Sequence, residues 1–306
     1  MGLPAVNIEL ENGALGLTAG TADGLAALIY SGVATSEIGL AEPKQIFSTD
    51  EAKALGLDEA YDTANGTKVW KNIKDFYAQA GEGAALWVML FNSTTTMTTV
   101  MDQVNDLAKK CLDAGDGLIR LLAIGRVPDG AYAGTTDDGW DDDVSAAILK
   151  AHELAEAYAA EYKPLRVIID GRDFQGTVAD VVDITGNTNN RVQVFMSTDE
   201  AGSVNAAIGL LLGRYASISV QRNPGRVKDG DTGVLAAYFT DGTTKIEEVS
   251  TGEQDQLHDK AIVFLRKWQG KNGYFFTGDP TATAASDDYS SFARGRVIDK
   301  AMVITY

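Results

Sequence analysis

The chain has 306 residues, 45% of them hydrophobic and 23% charged, with a formal net charge of −17. That length suits one large α/β domain or two smaller ones, and so acidic a chain does not hold nucleic acid or an anionic membrane through its overall field. The single cysteine, Cys111, excludes an intramolecular disulfide, and two histidines, His152 and His258, are too few for a histidine-rich metal site. No apolar run approaches the roughly 20 residues of a membrane span, and the opening MGLPAVNIELENG lacks the basic and apolar regions of a secretory signal.

In chain order, residues 5–10 alternate apolar and polar side chains and predict a short strand. A glycine-rich run over residues 11–24 follows, so residues 1–24 read as an arm on a flexible joint. Five nearly continuous apolar runs, residues 25–32, 85–91, 118–124, 165–170 and 192–197, predict strands buried on both faces. Between them lie segments of helical period. One stripe is Val69, Trp70, Ile73, Phe76, Tyr77 and Ala80. A second is Met97, Val100, Met101, Val104, Leu107, Ala108 and Cys111. A third runs from Val144 through Ala147, Ile148, Ala151, Leu154, Ala155 and Tyr158 to Tyr162, and a fourth from Val204 through Ala207, Ile208, Leu211 and Leu212 to Tyr215. Ser48 and Glu51 have capping-box spacing, and Asp141, Asp142 and Asp143 stand where the third helix is expected to begin. The alternation predicts an α/β body over residues 25–216, a mostly parallel central sheet with helices on both faces. Past residue 217, glycine turns between short strands predict an α+β portion over residues 217–306.

The search for chemistry returns little. There is no phosphate-binding G-x-x-x-x-G-K-[ST] loop, no dinucleotide fingerprint after the first strand and no G-x-S-x-G elbow. HELAE, residues 152–156, lacks the second histidine of a zinc-protease helix and reads as a polar helix flank. The cluster Asp137, Asp138, Asp141, Asp142 and Asp143 lacks calcium-loop spacing and reads as helix-start charge on a solvated loop. Asp170, Arg172 and Asp173 fall at the carboxyl end of a central strand, where open α/β sheets bind ligands. The simpler expectation is structural: Asp170 caps the turn, Gly171 supplies its backbone angle and Arg172 pairs with a nearby carboxylate. Cys111 and most aromatic residues fall on the apolar stripes and read as core. Neither a catalytic residue nor a cofactor or metal is expected.

The last third carries a resemblance. Gly273, Tyr274, Phe275 and Phe276, then Gly278 and Asp279, then Arg294 and Arg296 ahead of residues 297–306 resemble the closing part of contractile phage tail sheath proteins, with their aromatic strand, polar loop and arginine-bearing helix. The opening GLPAVNIEL is similar to the sheath N-terminal arm, and the wording is nearest to compact prophage-type subunits. The resemblance implies a virion structural protein or contractile injection device component, assembled in the bacterial cytoplasm. Its expected partners are neighbouring copies of itself in a helical homopolymer, a tail tube protein, and baseplate and terminator proteins. In that reading Pro4, Val6, Ile8 and Leu10 form an arm that adds a strand to a neighbour. Arg294, Arg296 and Lys300 face an acidic tube, or else pair with Asp287, Asp288 and Asp299 within the subunit. Sheath subunits usually continue beyond this helix into a C-terminal arm, whereas Tyr306 ends the sequence without a helix stop, as in a truncated or shorter relative. The competing readings are another tail protein, a terminator or tube-associated component, and a soluble α/β enzyme using residues 170–173.

Overall fold

A computed structural model describes residues 22–305. A single 3-10 turn, Ala22–Gly24, leads into β1 (Ala26–Ser31), β2 (Lys44–Ile46), α1 (Thr49–Ala54), α2 (Glu59–Asn65), α3 (Val69–Ala80), β3 (Leu86–Phe91), α4 (Met97–Met101) and α5 (Leu107–Ala114). Next come β4 (Leu121–Gly125), α6 (Asp142–Ala160), β5 (Arg166–Asp170), β6 (Thr188–Asn189), β7 (Val192–Phe195), β8 (Ser197–Thr198) and α7 (Ile208–Ser217). The chain closes with β9 (Tyr238–Phe239), α8 (Thr251–Asp259), β10 (Ile262–Val263), β11 (Leu265–Arg266), β12 (Phe275–Phe276), β13 (Ala282–Thr283) and α9 (Phe292–Thr305).

Seven strands form one sheet in the order β10-β7-β5-β4-β1-β3-β2, parallel throughout except for β2, which runs antiparallel on β3. The five apolar runs supply its five inner strands. Every residue of β1, β4, β5 and β7 is buried, as strands covered on both faces must be. Helices α3 and α7 pack on each other and cover β1, β4 and β5 from one side, while α5 and α6 cover β1, β3, β5 and β7 from the other. The segment after residue 217 is not separate from this sheet, because β10 extends it beside β7. The same segment adds three antiparallel pairs: β11 with β12, β13 with β6, and β9 with β8.

Several local expectations are corrected. The second apolar stripe is two helices, α4 and α5. Asp102 accepts the Val104 N–H at 3.1 Å, a local bond that competes with helix continuation, and Asp106 sits at φ 55°. Val104, counted as core, is 81% exposed at the tip of that break. Tyr162 lies past the end of α6 at φ 62° and is half-exposed, and Val204 precedes α7. Ser48 caps α1 by accepting the Glu51 N–H, but Glu51 reaches back to the Phe47 N–H instead of completing the box at Ser48. Trp268, which lies on none of the stripes, is partly exposed, with the Arg266 guanidinium 3.7 Å from its ring centroid.

The contact between α3 and α7 depends on two glycines. A Cβ at Gly209 would stand 2.0 Å from the Asn72 carbonyl oxygen, and one at Gly213 would stand 2.3 Å from the Phe76 carbonyl oxygen. The closeness also lets Gly209 N–H donate to Asn72 Oδ1 at 2.8 Å. Gly213→Ala is expected to cost about 1–3 kcal/mol by forcing the helices apart, read as a lowered urea midpoint. Gly252→Ala, in α8 with nothing within 4 Å of the added Cβ, is the control, expected to stabilise by about 0.5–1 kcal/mol.

Candidate functional site

Two places gather charged residues: the carboxyl end of the sheet and the C-terminal helix. At the carboxyl end of β5, Asp170 is fully buried; its Oδ1 accepts the Ala206 N–H at 2.7 Å and its Oδ2 the Asn205 Nδ2 at 2.9 Å. It thereby fixes the segment entering α7. Arg172 is buried and pairs with Asp141, which also accepts from the Tyr132 hydroxyl at 2.9 Å and from the Asp143 N–H at 2.9 Å. Asp173, at φ 56°, donates its N–H to the Val204 carbonyl at 2.8 Å. Gly171 does not supply a left-handed angle. Its role is space, since a Cβ there would stand 2.8 Å from Val194 Cγ1 and 2.9 Å from the Phe195 carbonyl oxygen. The two carboxylates therefore do not share a cleft. Asp170 points into the protein, and Asp173 lines an open depression of about 360 Å³ together with Asp129, Tyr132 and the already paired Arg172.

Of the acidic cluster, Asp141, Asp142 and Asp143 do open α6, with Asp141 at its N-cap, and Asp137 is exposed. Asp141 and Asp143, however, are not solvated: they are 1% and 7% exposed. Asp143 accepts the Met97 and Thr98 N–H groups at 2.7 and 3.0 Å, so it caps α4, and it lies 3.5 Å from Arg126 Nη1. Arg126 in turn donates to the Ser93 carbonyl through Nε and Nη2 at 3.0 and 2.9 Å. This matters because strand order reverses between β1 and β4, which is where a doubly wound sheet opens its ligand crevice. Here Ser31 Oγ accepts the Val127 N–H at 2.7 Å and donates to the Val127 carbonyl at 3.1 Å, bolting the two strand ends together. The Tyr30 ring fills the space over Gly125, where a Cβ would lie 2.3 Å from Tyr30 Cε2. Tyr30 thus fills the space directly over Gly125, while the open depression lined by Asp129, Tyr132 and Asp173 reaches Val127 beside it. Among the described residues no group of acidic, histidine or cysteine side chains is arranged to hold a metal. His152 is half-buried on α6, and burial lowers its pKa. Cys111 is buried, its thiol pushed up to about 12 by desolvation.

The C-terminal helix is held by charges that sequence reading left unpaired. Asp299 accepts from Arg166 Nε at 2.7 Å and from Arg191 Nη1 at 3.0 Å, joining α9 to the starts of β5 and β7. Gly295 gives the Arg166 guanidinium its passage, since a Cβ there would lie 1.8 Å from Arg166 Nη2. Asp279, in the glycine-and-polar loop, accepts from Ser291 Oγ at 2.6 Å and the Ala293 N–H at 2.9 Å, and Phe292 stacks on Tyr215 with ring centroids 4.6 Å apart. Arg294, Arg296 and Lys300 do not form one surface. Arg296 is 5% exposed over the Tyr215 ring, while Arg294 and Lys300 are exposed. None of the three pairs with Asp287, Asp288 or Asp299; Lys300 bonds Asp23 at 2.5 Å. Arg294 lines an open groove of about 610 Å³ with Tyr289, Val297 and Ile298, the last two exposed. The arm residues Pro4, Val6, Ile8 and Leu10 lie outside the described residues.

The N-terminal domain of the DUF2586 family matches residues 3–279. The chain belongs to the DUF2586 family. No curated protein matches it in sequence. Among solved structures, the DUF2586 fold is similar to a chain of the anti-feeding prophage helical sheath in its contracted state, with 16% identity and a TM-score of 0.59 over 100% of this chain and 75% of that one. It is also similar to a chain of the anti-feeding prophage baseplate, with 13% identity and a TM-score of 0.60 over 99% and 75%. A third similar chain belongs to the contracted sheath complex of an extracellular contractile injection system called PVC, with 14% identity and a TM-score of 0.54 over 100% and 75%. The mostly parallel α/β architecture is thus a sheath-like fold.

In this DUF2586 fold the buried Asp170 has a measurable signature. Burial raises its carboxyl from 3.8 to about 7 despite the donors from Asn205 and Ala206. A carboxyl raised on folding contributes stability that is complete below about pH 4 and lost as pH rises through about 7. Asp170→Asn removes this dependence. Between about pH 4 and pH 8 the variant is expected to gain on the wild type by up to about 4 kcal/mol, measured by urea unfolding at each pH. Parallel pH curves for the two proteins would contradict the assignment.

Proposed function

We propose that the chain is a structural subunit of a contractile tail sheath or injection device, polymerising around a tail tube without catalysing a reaction. The observation that carries this reading is the likeness of the whole described fold to chains from two contracted sheaths and a baseplate, each matched over 99–100% of this chain. Two features support it. At the switch point, where an α/β enzyme holds its ligand, Tyr30 fills the space over Gly125 and Ser31 bolts the strand ends together. The outer row of α9 exposes Arg294, Val297, Ile298 and Ile304, an apolar helix face that an assembly partner covers.

In this reading neighbouring copies hold one another through terminal arms, and a tail tube, a baseplate and a terminator complete the apparatus. Residues 4–10 are the arm. Main-chain hydrogen bonds to a neighbour's sheet keep copies tethered while the bodies slide. Contraction is a passage between two packings of the same subunits, and no nucleotide is consumed. A baseplate or terminator ring component is a second reading, favoured by the similarity to a baseplate chain. Closed small rings rather than tubes distinguish it.

Sedimentation velocity with the tube protein present tests the proposal. The full chain is expected in a fast, polydisperse boundary, and a deletion of residues 1–12 is expected to stay folded and sediment as a single slow species. If that deletion unfolds the body, residues 1–12 are a core strand and the arm assignment fails. Charge reversal at Arg294 is expected to weaken co-assembly most at low salt, because an exposed charge is screened within about 10 Å at 0.1 M. Co-assembly unchanged at every ionic strength would remove Arg294 from the tube contact.

A further inference from the structure

Where α9 meets the body, positive charge exceeds negative. Arg120, Arg166, Arg191, Arg296 and Lys300 gather there, and the carboxylates in their ion pairs are Asp23, Asp299 and Glu156. Asp299 is shared by Arg166 and Arg191, Glu156 is taken by Arg191 and Asp23 by Lys300. Two guanidiniums are left over. Arg120 donates only to the backbone carbonyls of Gly117 and Ile119, at 2.6 and 3.4 Å. Arg296, almost fully buried, makes one long bond from Nη2 to the Asp23 carbonyl at 3.4 Å, and its Nε and Nη1 have no hydrogen-bond partner.

Both leftover arginines line the same small cavity, together with Asp23, Val220, Asp299, Lys300 and Val303. Its volume is about 20 Å³, enough for one water-sized or halide-sized group and too little for a phosphate or a nucleotide. A buried cation without a counter-charge is costly to keep, and the low dielectric that makes it costly also strengthens its attraction for an anion. Desolvation lowers the pKa of both arginines, that of Arg296 to about 10, and outweighs the opposing pull of Asp23 and Asp299, which are engaged by Lys300, Arg166 and Arg191.

We propose that the Arg120–Arg296–Lys300 cavity is a binding site for a small monovalent anion: a halide, or the tip of a carboxylate from a second copy of this chain. The bound anion neutralises the junction of α9, the start of β4 and the turn at Asp23, and so ties the C-terminal helix to the body. The small volume and the apolar side chains of Val220 and Val303 favour a small anion over a large one.

Thermal unfolding of the full chain at constant ionic strength, with methanesulfonate, a bulkier anion without a carboxylate, replaced stepwise by chloride, tests the site. For a halide site the midpoint rises saturably, by about 4 °C at a chloride concentration a hundred times the dissociation constant, and does not depend on protein concentration. For a carboxylate from a second copy, the midpoint in methanesulfonate rises with protein concentration, and added chloride abolishes that dependence by taking the carboxylate's place. Both outcomes support the site and assign its source. Arg296→Met keeps the aliphatic packing under Tyr215 and removes the charge; it is expected to fold and to lose either response. Arg120→Gln is expected to weaken the response at least tenfold in concentration. If the wild type responds equally to chloride and methanesulfonate and shows no dependence on protein concentration, or if Arg296→Met responds as the wild type does, the proposal is overturned.

Discussion

The rest of the structure depends on a sheet that runs parallel across six of its seven strands. Parallel neighbours need crossovers, crossovers place helices on both faces, and both faces must then be apolar. Charged residues in the inner strands are left at strand ends, where their hydrogen bonds and ion pairs must be completed. The chain does this with charges. Asp170 at one end of β5 receives the N–H groups that lead into α7, and Arg166 at the other end reaches Asp299 on α9. One strand thus fixes two helices that are far apart in sequence.

Much of this was legible because the signals were local. Residues 26–31, 86–91 and 166–170 are continuous apolar runs, and Val69–Ala80 carries its stripe at helical spacing. The break between α4 and α5 was not legible from periodicity, since Val104 fits the stripe and only the Asp102 side chain, bonding its own backbone, stops the helix. The charge clusters were legible only in part. Asp141 and Asp143 do stand at the start of α6, but their partners Arg172 and Arg126 are brought to them only by the sheet. One available signal was missed. Arg166 opens an otherwise apolar strand, and a guanidinium there must find a carboxylate; nothing local shows that the carboxylate is Asp299, 133 residues later.

The same geometry shapes the carboxyl end of the sheet. An α/β sheet offers chemistry where its strand order reverses, and here Tyr30 fills the space over Gly125 and Ser31 bolts the strand ends together. What remains on the outside is the face of α9, the exposed Val104 turn, and an edge strand, β2, of three residues. The closely nested α3 and α7, with Gly209 and Gly213 against carbonyl oxygens, give the sheet a stiff backing.

The most direct measurement of the sheath assignment is electron microscopy of the full chain produced together with its tail tube. The account predicts hollow helical tubes in which each subunit has the fold described here and α9 lies against a neighbouring molecule. Monodisperse single subunits under all conditions, with a small organic molecule bound at the carboxyl end of β4 and β5, would contradict it.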